Sequence, residues 1–159
     1  MKKRIKLNIN GDVYEMEVED RRTLLDVLRE DLSLMGTKKM CDTGQCGSCT
    51  ILLGGLPVLA CLILAADADG KPIQTIEGVA QGGVLDPIQG EFIEKGAIQC
   101  GFCTPGMIMT AKGLLAKNPH PSDEEIKRAI AGNLCRCTGY VRIVEAIRSA
   151  ATRTKEQAL

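Results

Sequence analysis

The chain has 159 residues, 45% of them hydrophobic and 25% charged, and its 20 acidic and 20 basic side chains cancel to zero formal charge. That balance gives no electrostatic footprint for nucleic acid or an anionic membrane surface. No apolar run approaches the ~18 residues of a membrane-spanning helix, so neither a membrane nor a nucleic acid is expected as a partner.

The basic start Met1-Lys2-Lys3-Arg4 runs into an alternating segment, so no cleaved secretory signal is expected. Ile5, Leu7 and Ile9, then Val13, Met16 and Val18, alternate on either side of Asn10-Gly11. Alternation broken by Asn-Gly predicts a two-stranded hairpin. Arg21-Arg22 is not followed by the apolar core of a twin-arginine signal, because Asp26, Arg29, Glu30 and Asp31 intervene. Thr23 is placed to cap a helix whose inner face carries Leu24, Leu25, Val27, Leu28 and Leu32. A reducing cytoplasm is therefore the expected compartment, where clustered cysteines bind metal or do redox chemistry rather than form disulfides.

Eight cysteines fall into two sets with none left over. The first set is Cys41, Cys46, Cys49 and Cys61, spaced C-x4-C-x2-C-x11-C. Three thiolates on one loop and a distant fourth form the plant-type signature for a 2Fe–2S cluster. Gly44 and Gly47 supply the small size and unusual backbone angles of a loop wrapped round such a group. Zinc sites use short paired knuckles instead, so this triple favours iron and sulfur. Two apolar runs follow, 50–53 and 56–60, split by Gly54-Gly55, and 72–76 adds a last strand. A mixed sheet with one helix and a loop of cysteines at its edge is the β-grasp arrangement.

Glu77–Val84, with Gly78, Gly82 and Gly83, reads as the boundary between a first domain at 1–78 and a second at 84–159. Beyond it the period becomes helical. Helices are expected over 87–95, from the Thr104-Pro105 start, after the Ser122/Glu125 capping box with a stop at Gly132, and behind a Thr138 cap. The second cysteine set, Cys100, Cys103, Cys135 and Cys137, is spaced C-x2-C-x31-C-x-C among these helices. On spacing alone, a zinc ribbon fits these four as well as a second cluster does. No dinucleotide fingerprint, phosphate loop or Ser/His/Asp grouping occurs, so no catalytic residue is assigned.

CDTGQCGSCT at 41–50, QCGFCTPGMIM at 99–109 and GNLCRCTGY at 132–140, in this order, resemble the small iron–sulfur subunit of the molybdenum hydroxylases, the xanthine dehydrogenase family. The resemblance covers residues 4–151. It implies an α+β chain: a ferredoxin-like β-grasp domain, then an all-α helical-bundle domain whose four cysteines hold a second 2Fe–2S cluster. It further implies a large partner binding molybdopterin cytosine dinucleotide and a medium partner binding FAD, joined as a heterotrimer or a dimer of heterotrimers. Single electrons then run from molybdenum through the helical-domain cluster and the ferredoxin-like cluster to the flavin. Gln99 and Cys137 occupy the positions that lie against the pterin in relatives. Met40 departs from the pattern, since relatives more often have glycine before the first cysteine, and a bulky group there is expected to cover the cluster or shift its potential. The other functional classes compatible with these residues are a free-standing two-cluster ferredoxin and a zinc-stabilised interaction module. Arg136, between two ligands, and His120, in a Pro-flanked turn, receive no fixed role.

Each half has only about 75 residues, and domains so small bury barely enough surface for stability. Four metal-bound thiolates supply a large part of what is missing. Stripping the iron is therefore expected to unfold much of each half. Circular dichroism of the apo-protein is the check, and full, cooperative native structure there contradicts the expectation.

Overall fold

The computed structural model describes residues 1–157, with side chains through Arg153, so the last two residues of the expected second domain lie outside the described residues. The first hairpin forms as its alternation dictates. β1 (Lys2–Ile9) pairs antiparallel with β2 (Asp12–Glu19), and Asn10 and Gly11 turn between them at φ 55° and 95°. Two successive positive φ values match the right-handed twist of the strands, which is why Asn-Gly suits this turn. The inner face of β2 differs from expectation. Val13 is 54% exposed, and Tyr14, opposite Leu7, is the residue that packs inward with Met16 and Val18.

α1 (Leu24–Asp26) starts at Thr23, whose hydroxyl accepts the Asp26 N–H at 3.1 Å, and runs directly into a wider π turn over Val27–Asp31. The change of pitch still buries Leu24, Leu25, Val27 and Leu28 against Ile5, Leu7, Ile9, Ile51 and Ile73 of the sheet. β3 (Thr50–Leu53) and β4 (Leu56–Leu59) form the second hairpin around Gly54-Gly55, and β5 (Pro72–Gln74) lies between the two hairpins. The sheet order is β2-β1-β5-β3-β4, with β1 and β5 parallel and the other pairs antiparallel.

Helices α2 (Pro87–Glu94), α3 (Thr104–Lys117), α4 (Asp123–Ile130) and α5 (Val141–Gln157) follow. Their core joins Ile88, Phe92, Met107, Ile108, Ile126, Ile130, Ile143 and Ile147. Both short helices carry reciprocal capping boxes, Asp86 with Gln89 and Ser122 with Glu125. Two helix starts differ from expectation. Cys103 takes the N-cap position of α3 and Thr104 is already its first helical residue, while α5 begins three residues after Thr138. α4 ends through Ala131, and Gly132 has no left-handed geometry.

The two cores meet at β3. Successive side chains of a strand point to opposite faces, so Ile51 enters the core under α1 while Leu52 enters the helical core, together with Val79 from the connecting segment. α3 lies against this outer face, with Gly113 over Pro57 and Leu52 and with Gly106 against the backbone of Gly47 and Ser48. Among the described residues, no helix is long and apolar enough to cross a membrane.

The Gly106 contact gives a signed expectation. Alanine there gains about 1 kcal/mol of helix propensity, but its Cβ meets the Gly47 carbonyl, which neighbouring bonds hold in place. Overpacking against a held backbone oxygen costs toward the upper end of about 1–3 kcal/mol, which outweighs that gain. Gly106→Ala is therefore expected to lower the melting temperature by several degrees, measured by calorimetry on the cluster-loaded protein. A neutral or raised midpoint contradicts the close approach.

Candidate metal centres

The first loop is tied down at its entry. The Arg29 guanidinium donates to the carbonyls of Met35 at 3.1 Å and Thr37 at 2.8 Å, and the Lys38 N–H donates to Ser48 at 3.4 Å. Lys39 pairs with Asp26 at 2.7 Å and with Asp42 at 3.3 Å. Chain direction then reverses at Asp42, Gly44 and Gly47, all in the left-handed region. At Gly47 no other residue fits, because a Cβ meets the Gly132 carbonyl and Asn133. The folded loop buries Cys46 and Cys49 beside Cys61, which a short 3-10 turn after β4 presents. Cys41 stays half-buried at the rim.

All eight cysteines are free thiols, and they come together two by two. Cys41 lies close enough to Cys46, and Cys49 to Cys61, for each neighbour to shift the thiol's ionisation. In the helical half, Cys137 Sγ lies 3.6 Å from Cys100 Sγ, and Cys135 is a neighbour that raises the Cys103 thiol. Among the described residues no three or more His, Cys, Asp or Glu side chains gather as around one ion. The structure thus brings together the sequence-expected residues of each set, as two pairs per set.

Backbone donors already favour anionic sulfur at one member of each set. The Thr43 N–H points at Cys41 Sγ at 3.5 Å, and with the Thr43 side chain and Cys46 it holds the Cys41 thiol down at about 6. Deeper in the loop, burial pushes Cys49 up to about 12. The second site repeats the contrast. Burial pushes Cys103 up to about 12. At Cys135 burial acts in the same direction, but the Thr138 hydroxyl at 3.1 Å and its N–H at 3.5 Å outweigh it, and the thiol is lowered. Cys137 is raised by its bond to Cys100. A buried thiolate needs compensating charge, and iron bound to each pair is a group these sulfurs fit.

Thr138 therefore serves a cysteine where a helix cap was expected. Tyr140, at φ 69°, turns its hydroxyl back to accept the Cys135 N–H at 2.8 Å. Its place in the last motif was visible in the sequence, but its bond to a loop five residues earlier was not. Gln99, Cys100, Arg136 and Cys137 are exposed, and so is His120, whose N–H donates to Asn118 in its turn. Met40 is 62% exposed, and its sulfur takes a weak bond from the Ser48 hydroxyl at 3.8 Å.

Sequence reasoning also missed a buried connection between the sites. Asn133 Nδ2 donates to the Gly47 carbonyl at 2.9 Å and to Thr50 Oγ1 at 3.3 Å, and Asn133 Oδ1 accepts the Thr110 hydroxyl at 2.9 Å. Beside it, the Leu134 N–H donates to the Cys46 carbonyl at 2.8 Å. The nearest signal was the position of Asn133 two residues before Cys135 in the third motif.

A β-grasp sheet and a helical bundle, each presenting paired thiols at a loop, define a two-domain 2Fe–2S protein. Residues 7–72 match the 2Fe-2S iron-sulfur cluster binding domain family, and residues 75–148 match the [2Fe-2S] binding domain family. The chain is 52% identical over 149 residues to the nicotinate dehydrogenase small FeS subunit of Eubacterium barkeri, covering 94% of this chain and 95% of that protein. It is 46% identical over 154 residues to the caffeine dehydrogenase subunit gamma of Pseudomonas sp. (strain CBB1), covering 95% and 92%. A chain of quinoline 2-oxidoreductase from Pseudomonas putida 86 superposes with a TM-score of 0.93 at 46% identity, covering 99% of both. The chain belongs to the small iron–sulfur subunits of the molybdenum hydroxylase, or xanthine dehydrogenase, family.

The Asp26–Lys39 pair supplies a pH expectation. Burial alone pushes the Asp26 carboxyl up, but the hydrogen bonds of Lys39 and Thr23 outweigh it and hold the group below its ordinary value. With Lys39 partly in solvent, the pair contributes about 1 kcal/mol. A depressed folded-state pKa gives stability that is complete above the unfolded value of about 3.9 and is lost as pH falls through the folded value. Asp26→Asn is expected to lose about 1 kcal/mol at neutral pH and less as pH falls below about 4. Denaturant titrations at several pH values check it, and a pH-independent loss contradicts it.

Proposed function

We propose that this chain is the electron-transfer subunit of a molybdopterin-dependent hydroxylase complex. In it, single electrons pass from a molybdenum centre on a large partner, through two 2Fe–2S clusters, to FAD on a medium partner. Cys41, Cys46, Cys49 and Cys61 hold the first cluster, in a ferredoxin-like unit over 1–78. Cys100, Cys103, Cys135 and Cys137 hold the second, in a helical unit over 84–159.

The carrying observation is the gathering of the eight thiols as neighbours within each set. Cys137 lies 3.6 Å from Cys100, and Cys41 with Cys46, Cys49 with Cys61 and Cys103 with Cys135 are near enough to shift one another. A cluster of two irons asks for two thiolates on each iron, whereas one tetrahedral zinc asks for four around a single point. Bound there, such a cluster supplies one-electron exchange. The chain's own residues do the holding and tuning. Thr43 and Thr138 aim N–H groups at sulfur in the two sites, and donors of this kind raise a cluster's potential.

Exposure supports two docking faces. Cys100 and Cys137 reach the surface among exposed Ile98, Phe102, Leu134 and Val141. Gln99 and Cys137 at this face are our contacts to the pterin of molybdopterin cytosine dinucleotide on the large partner. The segments that flank the first set expose Met35, Met40, Leu62 and Leu64, and this second face suits the FAD partner. Exposed apolar patches of this kind mark permanent interfaces, which a free-standing ferredoxin does not need. Relatives named as small or gamma subunits support a heterotrimer or a dimer of heterotrimers, placed in the cytoplasm.

Protein prepared without air is expected to contain about four irons and four labile sulfides per chain and to show two paired-spin signals after dithionite. Cys100→Ser is expected to remove or alter one signal and leave the other. Colourless protein carrying zinc, or one signal only in the wild type, overturns the ligand assignment. Native mass spectrometry of material from its own cell tests the complex, and a lone 17.1 kDa species favours the free carrier.

A further inference from the structure

Leu134 is 51% exposed, so its side chain does not anchor the loop that carries Cys135 and Cys137. Yet its N–H reaches across to the Cys46 carbonyl at 2.8 Å. What pins the loop is the neighbouring Asn133, only 4% exposed, whose carboxamide bonds the first-site loop at the Gly47 carbonyl and Thr50 and is oriented by Thr110. The network fixes which end of the amide is which. A flipped group sets oxygen against the Gly47 carbonyl and leaves the Thr110 hydroxyl facing a donor.

The Leu134–Cys46 bond has a consequence for a protein with a redox centre at each end. From Cys46 Sγ, bonded atoms run through Cβ, Cα and the carbonyl to its oxygen. One hydrogen bond crosses to Leu134 N, and bonded atoms continue through Cys135 to its Sγ.

We propose that Asn133 is a positioning residue for electron exchange between the two centres: its buried carboxamide holds the Leu134 N–H against the Cys46 carbonyl, and that hydrogen bond is the bridge. The proposal rests on the ligand assignment above. In the exchange one centre is oxidised by one electron as the other is reduced by one. No atom moves and no proton acceptor is required, so the bridge has only to keep its two ends in contact. Without the carboxamide, the loop keeps its ties within the helical half, the Asn133 N–H to Ile130 and the Cys135 N–H to the Tyr140 hydroxyl. It loses the side-chain tie that holds the Leu134 N–H toward Cys46.

The test compares wild-type complex with Asn133→Ala complex, both assayed for iron. After a brief sub-stoichiometric reduction, redistribution of the electron between the two clusters is followed by rapid-freeze paramagnetic resonance. Asn133→Ala is expected to keep full iron and both cluster potentials while redistribution slows at least tenfold. A variant that is merely less stable, with wild-type redistribution, leaves Asn133 structural and overturns the proposal. Should Asn133→Ala lose iron, Thr110→Val removes only the hydroxyl that orients the carboxamide. It is expected to slow redistribution in an iron-replete complex, and an unchanged rate there overturns the proposal as well. Absence of two clusters from the wild type sinks the ligand assignment itself, which distinguishes the two failures.

Discussion

One oxygen atom fixes how the two halves stand to each other. The Gly47 carbonyl accepts the Thr50 N–H at 3.1 Å, the Thr50 hydroxyl at 2.7 Å and the Asn133 carboxamide at 2.9 Å, and it abuts Gly106 at the start of α3. Buried acceptors must be satisfied, and losing a partner there costs the desolvation of the group left behind. Gly47 sits between Cys46 and Cys49, while Asn133 leads into Cys135. The atom that locks the seam therefore also sets the relation of one group of sulfurs to the other.

The sulfurs themselves show a balance of opposing terms. Loop N–H groups and threonine hydroxyls lower Cys41 and Cys135, whereas burial raises Cys49 and Cys103. Cys41, held down to about 6, is ready to be anionic near neutral pH, and Cys135 is lowered in the same direction. Each set also has a sulfur that resists charge until a metal arrives. At the first site such a mixture lets ligation start at the half-buried Cys41 and finish at the buried Cys49. The first set is deeper, with three buried members, while the second keeps Cys100 and Cys137 at the surface.

Local signals in the sequence located most of this architecture. Cysteine spacing separated the two sites, Asn10-Gly11 and Gly54-Gly55 placed both hairpins, and the Ser122/Glu125 box opened α4. These features are legible because each depends on neighbours within a few residues. Two of the misses have their cause in distant partners. Tyr14 takes the inward place given to Val13 because pairing with β1 sets the phase of the strand. Asn133 reaches residues 83 and 86 positions away, whereas Thr138 leaves its helix cap for a sulfur only three residues before it. Long-range bonds such as those of Asn133 leave no periodic mark.

Strand β3 gives Ile51 to one core and Leu52 to the other. That alternation makes the ferredoxin-like half a poor candidate for transplantation. Cut off after residue 78, it keeps its own sheet and α1 but presents Leu52 and Pro57 bare, on an outer hairpin that α3 had covered. An uncovered apolar strip beside an edge strand invites pairing with other copies. The halves carry separate redox groups but share a wall, and an engineer borrowing one must rebuild that wall.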